Sequence, residues 1–329
     1  MLPVSTTQCP SPSDRCAATR RLLSLGLLAV LVAVAPGCSS IKKLAVNKIG
    51  DALAVSGTAF SSDDDPELIK SAAPFGLKTM ESLLAESPRH RGLLLAVTSG
   101  FTQYGYAFVQ IEADELENQD LAKANEQRDR ARRLYLRARN YGLRGLEVAH
   151  PGFTNALRLD PRQAVRQLKA KDVPQIYWTV AAWGSAVSQS KDHPDIVAEV
   201  PMLEALLDRA LELNEAWNDG AIHGVLISYE MARPGVKGDA SARARQHFER
   251  AMALSDGRQA SPLVAFAESV CVQKQDLKEF EQLLNQALAI DLNSAPDNRL
   301  VNTIMQRRAK WLLARKADLF LIPETPETK

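Results

Sequence analysis

The chain has 329 residues, 46% of them hydrophobic and 24% charged, and its 40 Lys and Arg against 39 Asp and Glu leave a formal charge of +1. Such a balance gives no electrostatic case for a nucleic-acid partner. The length suffices for one large hydrophobic core or two small ones.

Residues 1–37 read as a secretory signal peptide. Arg15, Arg20 and Arg21 precede an apolar run from Leu22 to Ala35, and Pro36, Gly37, Cys38 and Ser39 follow. A basic segment, a short apolar core and small residues at a cleavage point are the marks of such a signal. The apolar run is too short for a bilayer span, which needs about 20 residues. A cysteine directly after small residues resembles the bacterial lipobox. Cys38 is therefore expected to begin the mature chain and to carry the lipid. Each buried CH₂ of the acyl chains holds it to the membrane by roughly 0.8 kcal/mol. Ser39 rather than an Asp follows Cys38, which by the common Gram-negative sorting rule points to the outer membrane, facing the periplasm. Cys9 and Cys16 leave with the signal, so only Cys271 remains. It is expected to be a small core residue, and no disulfide can form within the mature, lipidated chain.

Residues 38–61 are expected to form a lipid-anchored N-terminal helix, near 41–59, and a linker. Asp63, Asp64 and Asp65 belong to a polar loop, in which Asp65-Pro66 has the form of a helix cap followed by Pro in the first turn. From there to residue 321 the dominant hydrophobic period is 3.6, not 2. Phe280, Leu283, Leu284, Ala287 and Leu288 form one such stripe, and Leu203, Leu206, Leu207, Ala210 and Leu211 another. Ser87-Pro88, His150-Pro151, Asp160-Pro161, Val173-Pro174, His193-Pro194 and Arg233-Pro234 break the pattern, because the residue before Pro avoids helical backbone. The connections are short, so successive helices should be antiparallel hairpins. Residues 322–329, mostly Pro, Glu and Thr, should be a disordered tail.

A weak internal repeat runs through the helical region. Ala131, Tyr135 and Ala138 match the second-helix signature of a tetratricopeptide repeat, and Ala244, Phe248 and Ala251 match it again. Leu203, Leu207 and Ala210, and Phe280, Leu284 and Ala287, are degenerate versions. The ends of the later helices recur at spacings close to the ~34-residue period of that repeat. The fold predicted is all-α: antiparallel helical hairpins, tetratricopeptide-like, stacked into a compact superhelix over residues 62–321. A generic helical bundle is the alternative.

Motifs of chemistry are sparse. The five His residues form no His-x-x-x-His pair, and there is no Cys-x-x-Cys, phosphate-binding loop, dinucleotide fingerprint or nucleophile elbow. Neither a metal, a cofactor nor an enzymatic activity is expected. The informative residues are aromatic. Phe101, Tyr104, Tyr106 and Phe108 fall on one predicted helix, 92–115, and Tyr177, Trp178 and Trp183 on another, 174–190. The second helix is apolar almost all round, so protein surrounds it or it borders an enclosed space. Aromatic walls with a few polar tips are the usual lining of a small-ligand cleft, although core packing explains each aromatic taken singly. Tyr177, Trp178 and Trp183 are the first candidates for a cavity lining, with Tyr104, Phe101 and Phe153 next.

Several blocks together resemble a known family. Phe101-Thr102-Gln103-Tyr104-x-Tyr106-x-Phe108, Leu134-Tyr135-Leu136-Arg137-Ala138, His150-Pro151-Gly152-Phe153, Tyr177-Trp178 with Ala181-Ala182-Trp183-Gly184, and Gln306-Arg307-Arg308-Ala309-x-Trp311 are similar to the T component associated with TRAP (tripartite ATP-independent periplasmic) transporters. That resemblance implies a periplasmic lipoprotein of tetratricopeptide-like hairpins, assembled as a homotrimer. It implies pairing with a periplasmic solute-binding protein, the P component. It also implies a pore or cleft in each protomer that passes a small hydrophobic or organic-acid ligand. A protein–protein scaffold that takes no small ligand is the competing expectation.

Overall fold

The structure, a computed structural model, describes residues 46–53, 57–190, 192–233, 235 and 237–321. The signal peptide, Cys38 and the tail 322–329 lie outside the described residues. Two units divide the chain: residues 1–49, of which 46–49 are described and helical, and residues 50–329, which hold all that follows.

Among the described residues there is no strand. The longer helices are α1 (Pro66–Glu86), α2 (Arg91–Gly105), α3 (Ile111–Leu116), α4 (Leu121–Ala149), α5 (Phe153–Leu159) and α6 (Pro161–Ala164, short). Then come α7 (Val173–Ser188), α8 (Val200–Asn214), α9 (Ala221–Ala232), α10 (Ala240–Leu254), α11 (Ser261–Phe266), α12 (Val272–Lys274, one turn), α13 (Leu277–Ala289) and α14 (Arg299–Ala314). Five of them begin where an Asp side chain caps the first turn: Asp65, Asp120, Asp160, Asp239 and Asp276. Asp65 accepts from the amides of Glu67 and Leu68 at 3.0 and 3.1 Å, and Pro66 opens the first turn of α1. Asp120, Asp160 and Asp276 accept from Lys123, Gln163 and Glu279, each at 3.0 Å. A cap of this kind is worth about 1 kcal/mol. His90 does the same for α2, its Nδ1 accepting from Leu93 at 3.1 Å.

Four hairpins follow in order: α2 with α4, α7 with α8, α9 with α10, and α11 with α13. The four signature triples sit on their second helices, and all twelve side chains are buried. Small Ala at the outer positions lets the paired helix come close, and the large residue between fills the gap. Neighbouring hairpins pack mainly on each other, as in a repeat array. Between α4 and α7 the approach is close at Gly142. A Cβ on Gly142 would lie 2.2 Å from Oγ1 of Thr179.

Two features were not predicted. The α2 helix runs into α3 through a π-helical turn, Tyr106–Gln110, and α11 runs into α12 through another, Ala267–Cys271. The array also returns on itself. Helix α14 packs against α1, Ile304 touches both the N-terminal and the C-terminal core, and Arg308 reaches Asp114 on α3.

Candidate ligand passage

Five of the six aromatic candidates divide between two cores, and Trp178 belongs to neither. Trp183 is 2% exposed, and its indole N–H donates to Glu199 at 2.9 Å. Arg139 pairs with the same carboxylate and lies 5.4 Å from the indole centroid. Phe153 is fully buried in the same middle core, its ring tilted against His150. Phe101 and Tyr104 belong to the N-terminal core. Phe101 stacks on Tyr141, whose hydroxyl donates to Glu81 at 2.8 Å. Tyr104 leans on Phe108 beneath Arg130. These four have packing partners and, for Trp183, a satisfied polar tip.

Tyr177 and Trp178 stand differently. Both are half-buried. Their rings meet edge to face at 5.0 Å, and Tyr177 packs at 4.6 Å against Trp217, in the turn before α9. Burial alone pushes the Tyr177 hydroxyl up to about 12. Among the described residues the hydroxyl makes no hydrogen bond, and it is not one of the side-chain atoms buried without a partner, so it keeps accessible surface. Along the same face of α7, Ala181, Gly184 and Ser185 are half-buried, while Ile176, Val180 and Ala182 are buried. On α9 the corresponding residues are also small: Gly224 is half-buried, a Cβ there would meet nothing within 4 Å, and Ser228 is exposed.

The π turns carry a polar cluster that the sequence reading did not single out. Arg308, 5% exposed, bonds Asp114 at 3.0 Å and pairs closely with Glu268 of the second π turn. Its guanidinium lies 4.3 Å from the Trp311 centroid, and its Nη1 is buried without a partner. Asp114 also takes Arg128 at 3.5 Å. Burial raises the Asp114 carboxyl against the pull of Arg308. The Tyr106 hydroxyl, from the first π turn, is raised by burial and further by Glu268. Tyr135 donates to Gln110 at 2.7 Å. One cue was present in the sequence. Met305, Ala309 and Leu312 form the buried stripe of α14, and Arg308 sits within it, where a charge needs partners.

A second cluster joins α9 and α10. His223 and His247 meet Nδ1 to Nδ1 at 2.9 Å, and His223 Nε2 lies 3.2 Å from Glu215, which also pairs with Arg250. With Nε2–H donating to Glu215, His223 Nδ1 accepts and His247 Nδ1–H donates. Burial lowers the proton affinity of both rings. Residues 211–216 and His223 border a surface depression here. Among the described residues no group of three or more His, Cys, Asp or Glu is placed to hold a metal ion. Cys271 is buried, with its thiol pushed up to about 12 by that burial.

Stacked helical hairpins closed by a terminal helix define an all-α protein of the tetratricopeptide-like class. The family model described as TRAP transporter T-component matches residues 62–320. An uncharacterized protein of Treponema pallidum (strain Nichols) is 32% identical over 266 residues, covering 80% of this chain and 82% of that protein. The chain belongs to the TRAP transporter T-component family and so has an accessory role in such a transporter. No helix of the described residues is long and apolar enough to cross a membrane.

Proposed function

We propose that this protein is a lipid-anchored periplasmic T component, held to the outer membrane through Cys38. It docks a solute-binding P component and passes a small, mainly apolar ligand along the inner face of its hairpins. Tyr177 and Trp178, joined by Trp217, line the entry. Trp183, Phe153, Phe101 and Tyr104 form the wall behind. The protomers assemble as a homotrimer. The observation that carries this reading is the group of Tyr177, Trp178 and Trp217: three half-buried aromatic rings, Tyr177 touching both others, beside a helix face of small residues. A pure scaffold with a packed interior would bury these rings or do without them.

The test is ligand retention by Tyr177→Ala and Trp178→Ala variants of the mature chain. Folded variants that co-purify with less small molecule than the wild type support the passage. Folded variants that retain it in full exclude these residues from the lining.

A further inference from the structure

One end of the α1–α2 hairpin adjoins an uncompensated basic surface. Residues 150–171, which run from the end of α4 to the start of α7, hold Arg158, Arg162, Arg166, Lys169 and Lys171 against a single acidic residue, Asp160. All five bases are exposed, and none makes an ion pair among the described residues. The carboxylates that could neutralise them are engaged otherwise. Asp160 caps α6 through the Gln163 amide at 3.0 Å. Glu147 accepts from the amides of Gly152 and Thr154, at 2.6 and 2.8 Å. Asp172 is 1% exposed and takes the Lys169 amide at 3.1 Å, with His150 at 2.9 Å. Arg91 reaches the same Asp172 at 3.4 Å, which brings the α1–α2 turn and its exposed Arg89 to this end. Leu159, next to Arg158 and three residues before Arg162, is 78% exposed.

The chain that bears Cys38 arrives here. Asp51 lies 3.3 Å from Nε2 of His90, the residue between Arg89 and Arg91. Cys38 is 13 residues before Asp51, so the lipid is held within roughly 45 Å of this end. Charge then decides which surface faces the bilayer. Residues 63–67 and 112–120, beyond the start of α1 and the end of α2, hold nine acidic residues and no basic one, and Lys70 pairing with Glu112 joins the two segments. Anionic headgroups repel that end and attract the basic one.

We propose that the basic end, Arg158 to Lys171 with Leu159, lies on the bilayer that holds Cys38, its bases on anionic phospholipid headgroups and Leu159 in the interface. This rests on the lipid anchor proposed above. Each base near an anionic surface strengthens binding by about fivefold, a gain that salt screens. The contact therefore orients the protein rather than holding it. The acyl chains make the contact intramolecular, and a weak attraction then suffices to set which end of the hairpin faces the membrane.

The test uses the mature chain with Cys38→Ser, which removes the anchor. It is sedimented with vesicles of phosphatidylcholine alone and of phosphatidylcholine with phosphatidylglycerol at about 2:1, in about 0.02 M and about 0.5 M salt. The expected result is binding to the anionic vesicles at low salt only. That binding should weaken about thirtyfold in Arg162→Gln/Arg166→Gln and several-fold in Leu159→Ser. It should be unchanged in Lys123→Gln/Arg133→Gln, which takes two exposed bases from α4 instead. Failure of the Cys38→Ser protein to bind anionic vesicles at low salt overturns the proposal and leaves the basic end to an acidic protein surface. Equal binding to neutral vesicles, or equal loss in the two double variants, overturns it too. The anchor is tested apart from this, by the membrane partition of Cys38→Ala in cells, so the failure of one is distinguished from the failure of the other.

Discussion

Arg308 and Asp114 are 194 residues apart in sequence and meet at 3.0 Å. Their contact ties the last long helix to the first hairpin, so an array that would otherwise have two free ends is closed. Arg307 with Glu67, at 2.9 Å, and Arg299 with the carbonyl of Ser62, at 3.3 Å, follow the same seam. Both involve exposed or half-buried partners and contribute little by comparison. Arg308 is the buried member, and it holds two carboxylates at once.

Removing Arg308 should therefore loosen the closure. Arg308→Ala leaves Glu268 without its cation and Asp114 with only the longer contact to Arg128, at a cost of about 3 kcal/mol, the low end for a broken buried pair because both carboxylates keep some water. Urea unfolding measures it. A triple variant that also carries Asp114→Asn and Glu268→Gln should recover part of the loss.

Gly142 should tolerate no side chain. Gly142→Ala drives a methyl into Thr179, and the α4–α7 contact must open by an ångström or more. The expected cost is about 1–3 kcal/mol. Thr179→Ala, which removes the clashing Oγ1 and the neighbouring methyl, should relieve some of it in the double variant.

Stability should fall on mild acidification. His223 and His247 have folded-state proton affinities lowered by burial, while in the unfolded chain each titrates near 6.5. Below about pH 6.5 the unfolded state binds protons that the native state refuses, so the stabilisation present above that pH is lost as the pH falls toward the folded values. Glu215, held down to about 2 by Arg250 and His223, stays charged throughout. Arg233, Arg243 and Glu230 also face His247, and although burial raises it, the Glu230 carboxyl is held below its usual range by the hydrogen bonds from Arg243 and Arg233. The slope should approach about 1.4 kcal/mol per pH unit for each ring and shrink in His247→Asn.

Lipidation is tested directly in cells. Cys38→Ala should move the protein from the membrane fraction to the soluble periplasm, since no helix of the described residues can span a bilayer. Unchanged membrane partition would remove the anchor from the account.

Much of the scaffold was legible because it depends on local pattern. Ala131, Tyr135 and Ala138 recur as Ala244, Phe248 and Ala251, and both triples are buried on the second helix of a pair. Asp65-Pro66 caps α1 as expected. The π turns were not legible: one inserted residue in a long apolar helix leaves the periodicity nearly unchanged. Aromatic density pointed to Tyr104, whereas Tyr106, two residues on, carries the free hydroxyl. Arg308 could have been noticed in its buried stripe, but its partners lie 194 and 40 residues away and no spacing connects them. Trp217 escaped because it stands alone in a turn and meets Tyr177 only in three dimensions.

Native mass spectrometry of the mature protein with Cys38 replaced, recorded before and after organic extraction, bears most directly on the central claim. The account predicts a trimer carrying a small extractable molecule, with an apolar chain, that Tyr177→Ala fails to retain. A wild-type protein that is free of ligand and monomeric in mild preparations would contradict it.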